Sequence, residues 1–443
     1  MSVLTDAYSG LLALLDEIDW NFLRAAVRLS AVLVFLGMVV GGPVADPLDQ
    51  NNQTLAIVRG ELFDFTTWEA NAVLDKSRAS LAGAHTYMDE SQREQVVRDY
   101  LALVDEIRRL EDEVTRVYVD PAVANPEAAT ADLRAERDKL RRQQAELQPV
   151  AEAIIQSQIA ATLVDLGFGT GGHVMPPVWL RFTQPPRLLI VSPRDRIERT
   201  GNYPLQHDLT VDEEEQLESE VDRQLDVSSL SVPLGGLAVY PAMLVETGYA
   251  EHIFTTGAHE WVHHYLSFYP LGYNFGATPD LYTMNETVAS IVGDEVGRLT
   301  LERYYPDLAP PPPPPPPDPD VPPPPEPEPP AFDFRAEMHD TRLHVDDLLA
   351  EGRVEEAEAY MEERRALFVE QGYNIRKLNQ AYFAFYGSYA DQPGATGSDP
   401  VGPAIRELRA LSPSLFDFVR MVRSLTTFED LEQVVEARRA ATP

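Results

Sequence analysis

Ala258-His259-Glu260-Trp261-Val262-His263-His264 is the stretch on which the reading of this chain turns. Placed in a helix, it sets His259 and His263 one turn apart on a single face. Both imidazoles can then hold one metal ion, with Glu260 directed at the open side of that ion. A catalytic zinc ion takes three protein ligands and a water, and its charge draws the water's pKa toward neutrality, where a carboxylate such as Glu260 can remove the proton. Two histidines leave one ligand to be found. The pattern predicts a zinc (Zn2+) hydrolase site whose third ligand folds back from downstream.

Residues 282–303 supply it. They read as a second helix in which Glu286, Ala289, Ser290, Gly293 and Gly297 share one face, all small apart from the glutamate. Glycines cost a helix intrinsic stability but let it approach a neighbour closely, which would carry the carboxylate onto a metal held by that neighbour. An unpaired carboxylate on a packed face is costly, so Glu286 is expected to be the third ligand. Of the other nearby histidines, His252 reads as a surface or capping residue and His264 as packed against the site.

The two segments together resemble the gluzincin class of metallopeptidases, and within it a bacterial family classed as aminopeptidases. That family shows a similar Asn-Glu-(Ser/Thr)-x-Ala helix after its zinc motif, matched here from Asn285 to Ser290, and a later segment leading to a tyrosine, matched by Leu378-Asn379-Gln380-Ala381 and Tyr389. The likeness covers roughly residues 230–435 and is interrupted by a proline tract. It implies hydrolysis of a peptide or protein substrate, with Tyr389, or next to it Tyr386, donating a hydrogen bond to the oxyanion. It also implies a proline-tolerant edge strand just before the zinc helix, against which the substrate backbone pairs; Gly235 to Tyr240 fits, with Gly235, Gly236 and Tyr240 as contacts, and a plain structural hairpin is the alternative. One position departs from the pattern. Thermolysin-like enzymes carry an Asp four residues after the ligand Glu, where this chain has Ser290. An aminopeptidase further needs an acidic group for the substrate's free amine, and the sequence singles none out.

Composition bounds the rest. The chain's 443 residues, 44% of them hydrophobic, suffice for two or three domains with cores of their own. Thirty-six basic residues against 71 acidic ones give a formal charge of -35, which opposes phosphate backbones and argues against nucleic-acid binding. With no cysteine, any metal must be held by histidines and carboxylates.

Residues 1–45 form the N-terminal segment, in which Arg24 and Arg28 precede an apolar run, Leu29 to Ala45, of about 17 residues, followed by Asp46 and Asp49. The run reads as an uncleaved membrane anchor in preference to a cleaved signal or a buried helix, and the charge bias places the rest of the chain outside the cytoplasm, in a bacterial cell envelope.

Residues 46–170 read as an antiparallel helical hairpin. Val96, Tyr100, Leu103, Ile107, Leu110, Val114 and Val117 recur at spacings of four and three, and Leu133, Leu140, Leu147 and Ile154 every seven. This is either a stalk able to form a homo-oligomer or a hairpin packed on the catalytic domain; Pro149 weakens a long continuous coiled coil. Residues 171–308 form the catalytic domain, with strands expected at Val178 to Phe182 and Leu188 to Ser192 and through Ser229 to Leu244. Residues 309–331 are a proline-rich, extended linker or loop, which would serve as a spacer or bind a partner. Residues 332–443 are a helical subdomain completing the site, with helices expected over Ala336 to Glu351, Val354 to Gln371 and Ile375 to Tyr389.

The fold class that follows is α+β, mostly helical, around a zincin-like core with a small mixed sheet. A second functional reading makes the chain a cell-envelope scaffold with a structural or vestigial zinc. Glu260 weighs against it, because a closed site has no need of a base.

Overall fold

The computed structural model describes residues 49–119, 122–310, 332–387 and 400–441. The apolar run Leu29 to Ala45 and nearly all of the proline tract lie outside them; among the described residues no helix is long and apolar enough to cross a membrane. The chain divides into a unit ending at Ala56 and a unit from Ile57 onward, and the second carries the sheets and the histidine helix. It is α+β and mostly helical, as its sequence indicates.

Three helices open this unit: α1 (Phe65–Ala82), α2 (Glu90–Val119) and α3 (Ala131–Leu163). The last two are the expected hairpin. Val97, Tyr100, Leu101 and Val104 of α2 and Ile154, Ile155 and Ile159 of α3 belong to one apolar cluster with Phe254, Ala258, Trp261 and Val262 of the histidine helix. The hairpin is therefore a layer of the core that contains the histidine helix, and the stalk reading of this segment gives way to the packed one. Pro149 lies inside α3 without ending it. Its cost of about 3 kcal/mol is exceeded by three isoleucines that each contribute about 1.5–3 kcal/mol on burial. Glu152 fixes the layer's position: its buried carboxylate accepts from Lys76 Nζ at 2.7 Å and from the Phe182 amide at 2.9 Å.

Two three-stranded sheets follow. Strand β2 (Arg187–Pro193) is central in an antiparallel sheet with β3 (Gly201–Leu205) and β4 (Val227–Pro233), while α4 (Val211–Leu225) packs beside it. The other sheet is mixed, as expected. Strand β6 (Ala242–Leu244) pairs parallel with β1 (Leu180–Phe182) and antiparallel with β5 (Gly236–Leu237), which leaves β5 at the edge.

Helices α5 (Ala250–Leu266) and α6 (Pro279–Tyr304) form the centre of the fold. Helix α6 starts sharply because Thr278 caps it, accepting from the Leu281 amide at 3.2 Å, and Pro279 occupies its first position. The small-residue face works as the sequence suggests. A methyl group at Gly293 would lie 2.8 Å from the Thr255 carbonyl oxygen, and one at Gly297 would lie 2.7 Å from the Thr255 amide nitrogen.

The region after the proline tract does not form one subdomain. Helices α7 (Phe334–Ala350) and α8 (Val354–Glu370) build a small core of their own, and α9 (Gln380–Tyr386) lays Ala381 and Phe385 on Ile190, Leu230 and Val232 of the antiparallel sheet. Helices α10 (Val401–Ala410), α11 (Leu415–Val422) and α12 (Phe428–Ala441) instead join the cluster that contains α5 and α6. Helix α9 is also shorter than the periodicity from Ile375 indicates, because Asn379 starts it: its Oδ1 accepts from the Tyr382 amide at 2.9 Å while its Nδ2 donates to the Ser229 carbonyl at 2.9 Å.

Substitution of Gly297 by Ala tests the helix contact. The helix gains about 0.5–1 kcal/mol in propensity, but overpacking costs about 1–3 kcal/mol. Denaturant unfolding is expected to show a net loss near 1 kcal/mol, whereas Gly60→Ala, where a methyl group meets nothing within 4 Å, stays within about 0.5 kcal/mol of the parent.

Candidate metal centre

The contact between α5 and α6 brings three donors to one point. His259 Nε2 and His263 Nε2 lie 3.1 Å apart, and Glu286 Oε2 is 3.5 Å from the first and 3.6 Å from the second. Donors about 2.0–2.1 Å from a tetrahedral zinc are separated by roughly 3.3–3.4 Å, so this triangle fits such an ion. These three residues can hold a metal.

The ring of His263 is oriented from behind. Its Nδ1 donates to Asn285 Oδ1 at 2.7 Å, while Asn285 Nδ2 donates to the Leu271 carbonyl at 3.1 Å. That second bond decides which way the amide faces and hence which tautomer His263 adopts. In the neutral ring this bond puts the proton on Nδ1 and the Nε2 lone pair toward the triangle. An aspartate could accept from His263 but would set an oxygen against the Leu271 carbonyl. Asn285 thus supplies the hydrogen bond behind a ligand histidine that Ser290, half-buried further along the helix, does not provide.

Electrostatics keep the set charged. Burial acts against protonation of His263, but the adjoining Glu286 carboxylate outweighs it and lifts its pKa to about 9. Glu286 is likewise buried, yet His263 and His259 hold it well below the usual carboxylate range. Glu260 behaves in the opposite way. Burial pushes its carboxyl up against the pull of His259 and His263.

A cavity of about 530 Å³ opens onto these residues; its walls include Leu234, Gly236 to Val239, Tyr282 and Phe385. Gly236 to Val239 of the expected substrate edge are there, and a Cβ at Gly236 would overlap the Glu260 carboxylate. Two of the expected contacts lie elsewhere. Gly235 faces His252. Tyr240 donates to the Pro177 carbonyl at 3.1 Å and its ring meets Trp179 and His264, which makes it a structural residue. His264 is packed, as expected: its Nε2 lies 2.9 Å from the Val239 carbonyl, tying the edge segment to α5, and burial lowers its pKa to about 4.

Tyr389 lies outside the described residues. Tyr386, the second choice for the oxyanion, does not line the cavity; its ring packs at a tilt against Tyr382 and edge-on against Phe385, and it is Phe385 that lines the wall. Two further residues line the wall. Tyr282 stands one turn before Glu286, and its hydroxyl has Glu286 and Arg199 as neighbours; burial and Glu286 raise its pKa and keep it neutral. Helical spacing back from Glu286 would have found Tyr282. Nothing near Arg199 in sequence marks it. A second cavity, of about 490 Å³, shares Arg199, Asn202, Phe275 and Tyr282 with the first but touches none of the three ligands.

The chain matches no protein-family model, no curated protein and no solved structure.

Replacing Asn285 with Leu removes the acceptor behind His263 and leaves a buried N–H unpaired. Calorimetric titration with zinc is expected to show affinity reduced about 10–100-fold, with the circular dichroism spectrum unchanged; affinity equal to the parent's would show that the Asn285 contact does not orient the ligand.

Proposed function

We propose that this chain is a zinc-dependent peptidase of gluzincin type. The observation that carries the reading is the joint placement of the His259, His263 and Glu286 triangle, a buried Glu260 with a raised pKa, and an edge strand along one wall of the same cavity. Among the described residues no fourth histidine or carboxylate joins the ligand set, which supports a catalytic centre over the structural zinc of a scaffold.

Each part has a role in amide hydrolysis. His259, His263 and Glu286 would hold the zinc, which when bound would supply Lewis acidity and an acidified water. The free edge of Gly236–Leu237 binds the substrate backbone as an added strand and holds its carbonyl over the site. Glu260 takes a proton from the water as its oxygen attacks the carbonyl carbon. The same carboxyl then delivers that proton to the amide nitrogen as the C–N bond breaks, releasing one carboxylic acid and one amine. Asn285 keeps His263 in the tautomer that ligates, and His264 keeps the edge strand in register with α5. The absence of a side chain at Gly236 leaves room for the Glu260 carboxylate beside the edge. With Arg24 and Arg28 ahead of the run Leu29 to Ala45, the N-terminal segment would anchor this unit at the outer face of a bacterial membrane.

Glu260→Gln keeps the shape and removes the base. Peptide hydrolysis by the zinc-loaded variant is expected to fall by at least about 10²–10⁴-fold, with zinc content by mass spectrometry still near one ion per chain; substantial residual turnover would sink this assignment.

A further inference from the structure

Among the described residues lining the catalytic cavity, the carboxylates are Glu260 and Glu286, and both already have roles. Nothing on that wall is left to hold a substrate's free amine. A cation stands there instead. Arg199, from the irregular connection between β2 and β3, lines the cavity with its guanidinium carbon 4.2 Å above the Tyr282 ring. Its Nη1 is buried and has no hydrogen-bond partner among the described residues. Leaving a charged donor unpaired in a protein interior is unfavourable, and the side chain as a whole stays part-exposed on the cavity wall, where an entering group can meet its guanidinium.

We propose that Arg199 receives the free α-carboxylate at the C-terminus of a peptide substrate, so that the enzyme removes residues from the carboxyl end. This rests on the peptidase reading above. The planar guanidinium fork matches a carboxylate in a way a single donor cannot. A backbone carbonyl would be served as well by a neutral donor such as Asn202 on the same wall. A full positive charge is called for by an anion, and all the more in a chain of net charge -35, whose field otherwise repels one. Arg199 belongs to the wall shared by the two cavities and has Tyr282, the neighbour of the ligand Glu286, beneath it. A bound carboxylate therefore sits close to the metal set, within reach of the residue whose amide nitrogen Glu260 protonates. Leu188, Leu237, Phe275 and Phe385 on the surrounding walls suit an apolar side chain on that residue.

The test separates binding from hydrolysis. Full-length protein freed of metal is titrated calorimetrically with N-acetylphenylalanine and with its primary amide. The acid is expected to bind at least tenfold more tightly; Arg199→Gln should bind both at the amide's level, and Arg199→Lys should restore part of the preference. Equal binding of acid and amide by the parent overturns the proposal, as does a preference that survives in Arg199→Gln, which would assign the carboxylate to the histidines. Should Arg199→Gln not fold, the loss of preference is read from Arg199→Lys against the parent. In a second arm the zinc-loaded parent is given one peptide with a free and with an amidated C-terminus. Cleavage of the free form at least tenfold faster supports the proposal, and equal cleavage overturns C-terminal selection while leaving the peptidase reading standing. Hydrolysis of no peptide defeats the peptidase reading and with it the exopeptidase claim, and the calorimetric arm still decides whether Arg199 holds a carboxylate.

Discussion

The site depends on how closely two helices can lie. Gly293 and Gly297 of α6 rest on the backbone of Thr255, one turn before His259, at distances that leave no room for a methyl group. A carboxylate side chain is short, and at ordinary helix separations of about 8–10 Å it would have little chance of reaching two imidazoles on the facing helix. The glycines lower the helix's own stability, and the contact gives back more through burial of Val288, Val292 and Val296 on the same element. Every distance within the ligand triangle follows from that seam, since both histidines stand on one rigid helix and the glutamate on the other.

Much of this was legible because it is local. The one-turn spacing of His259 and His263, the position of Glu260 between them and the small-residue face below Glu286 are periodic features, and periodicity survives without knowledge of tertiary contacts. Asn285 was in view as the neighbour of Glu286, but its role depends on the Leu271 carbonyl, which orients the amide. Ser290 offers no acceptor to the histidines; the hydrogen bond to His263 comes from Asn285, five residues earlier, which residue-by-residue matching does not find.

What escaped the sequence comes from afar. Arg199 arrives on an irregular connection between two strands, where it is one of several charged residues and nothing in the sequence distinguishes it, and Tyr240 left the expected edge because its hydroxyl finds the Pro177 carbonyl on another segment. Helix α9 begins at Asn379 and not at Ile375 because that side chain both caps the helix and holds it to β4, and Phe385, not Tyr386, reaches the cavity wall. The hairpin's periodicity showed that it had an apolar face but not what covers it. The cover proved to be the histidine helix itself.

The shared core has a consequence for synthesis. Residues Val97 to Leu163 of the hairpin occupy the same apolar cluster as Val401 to Val435, so an early hairpin and the last helices of the unit close one interior across some 300 positions of chain. Contacts so remote in sequence form late, after a large loss of chain entropy. While the nascent polypeptide emerges amino end first, the hairpin and the two ligand-bearing helices lack part of their cover, and the cavity walls are incomplete until α9 has docked. The three-donor triangle and the cavity beside it are in this way finished together, near the end of synthesis.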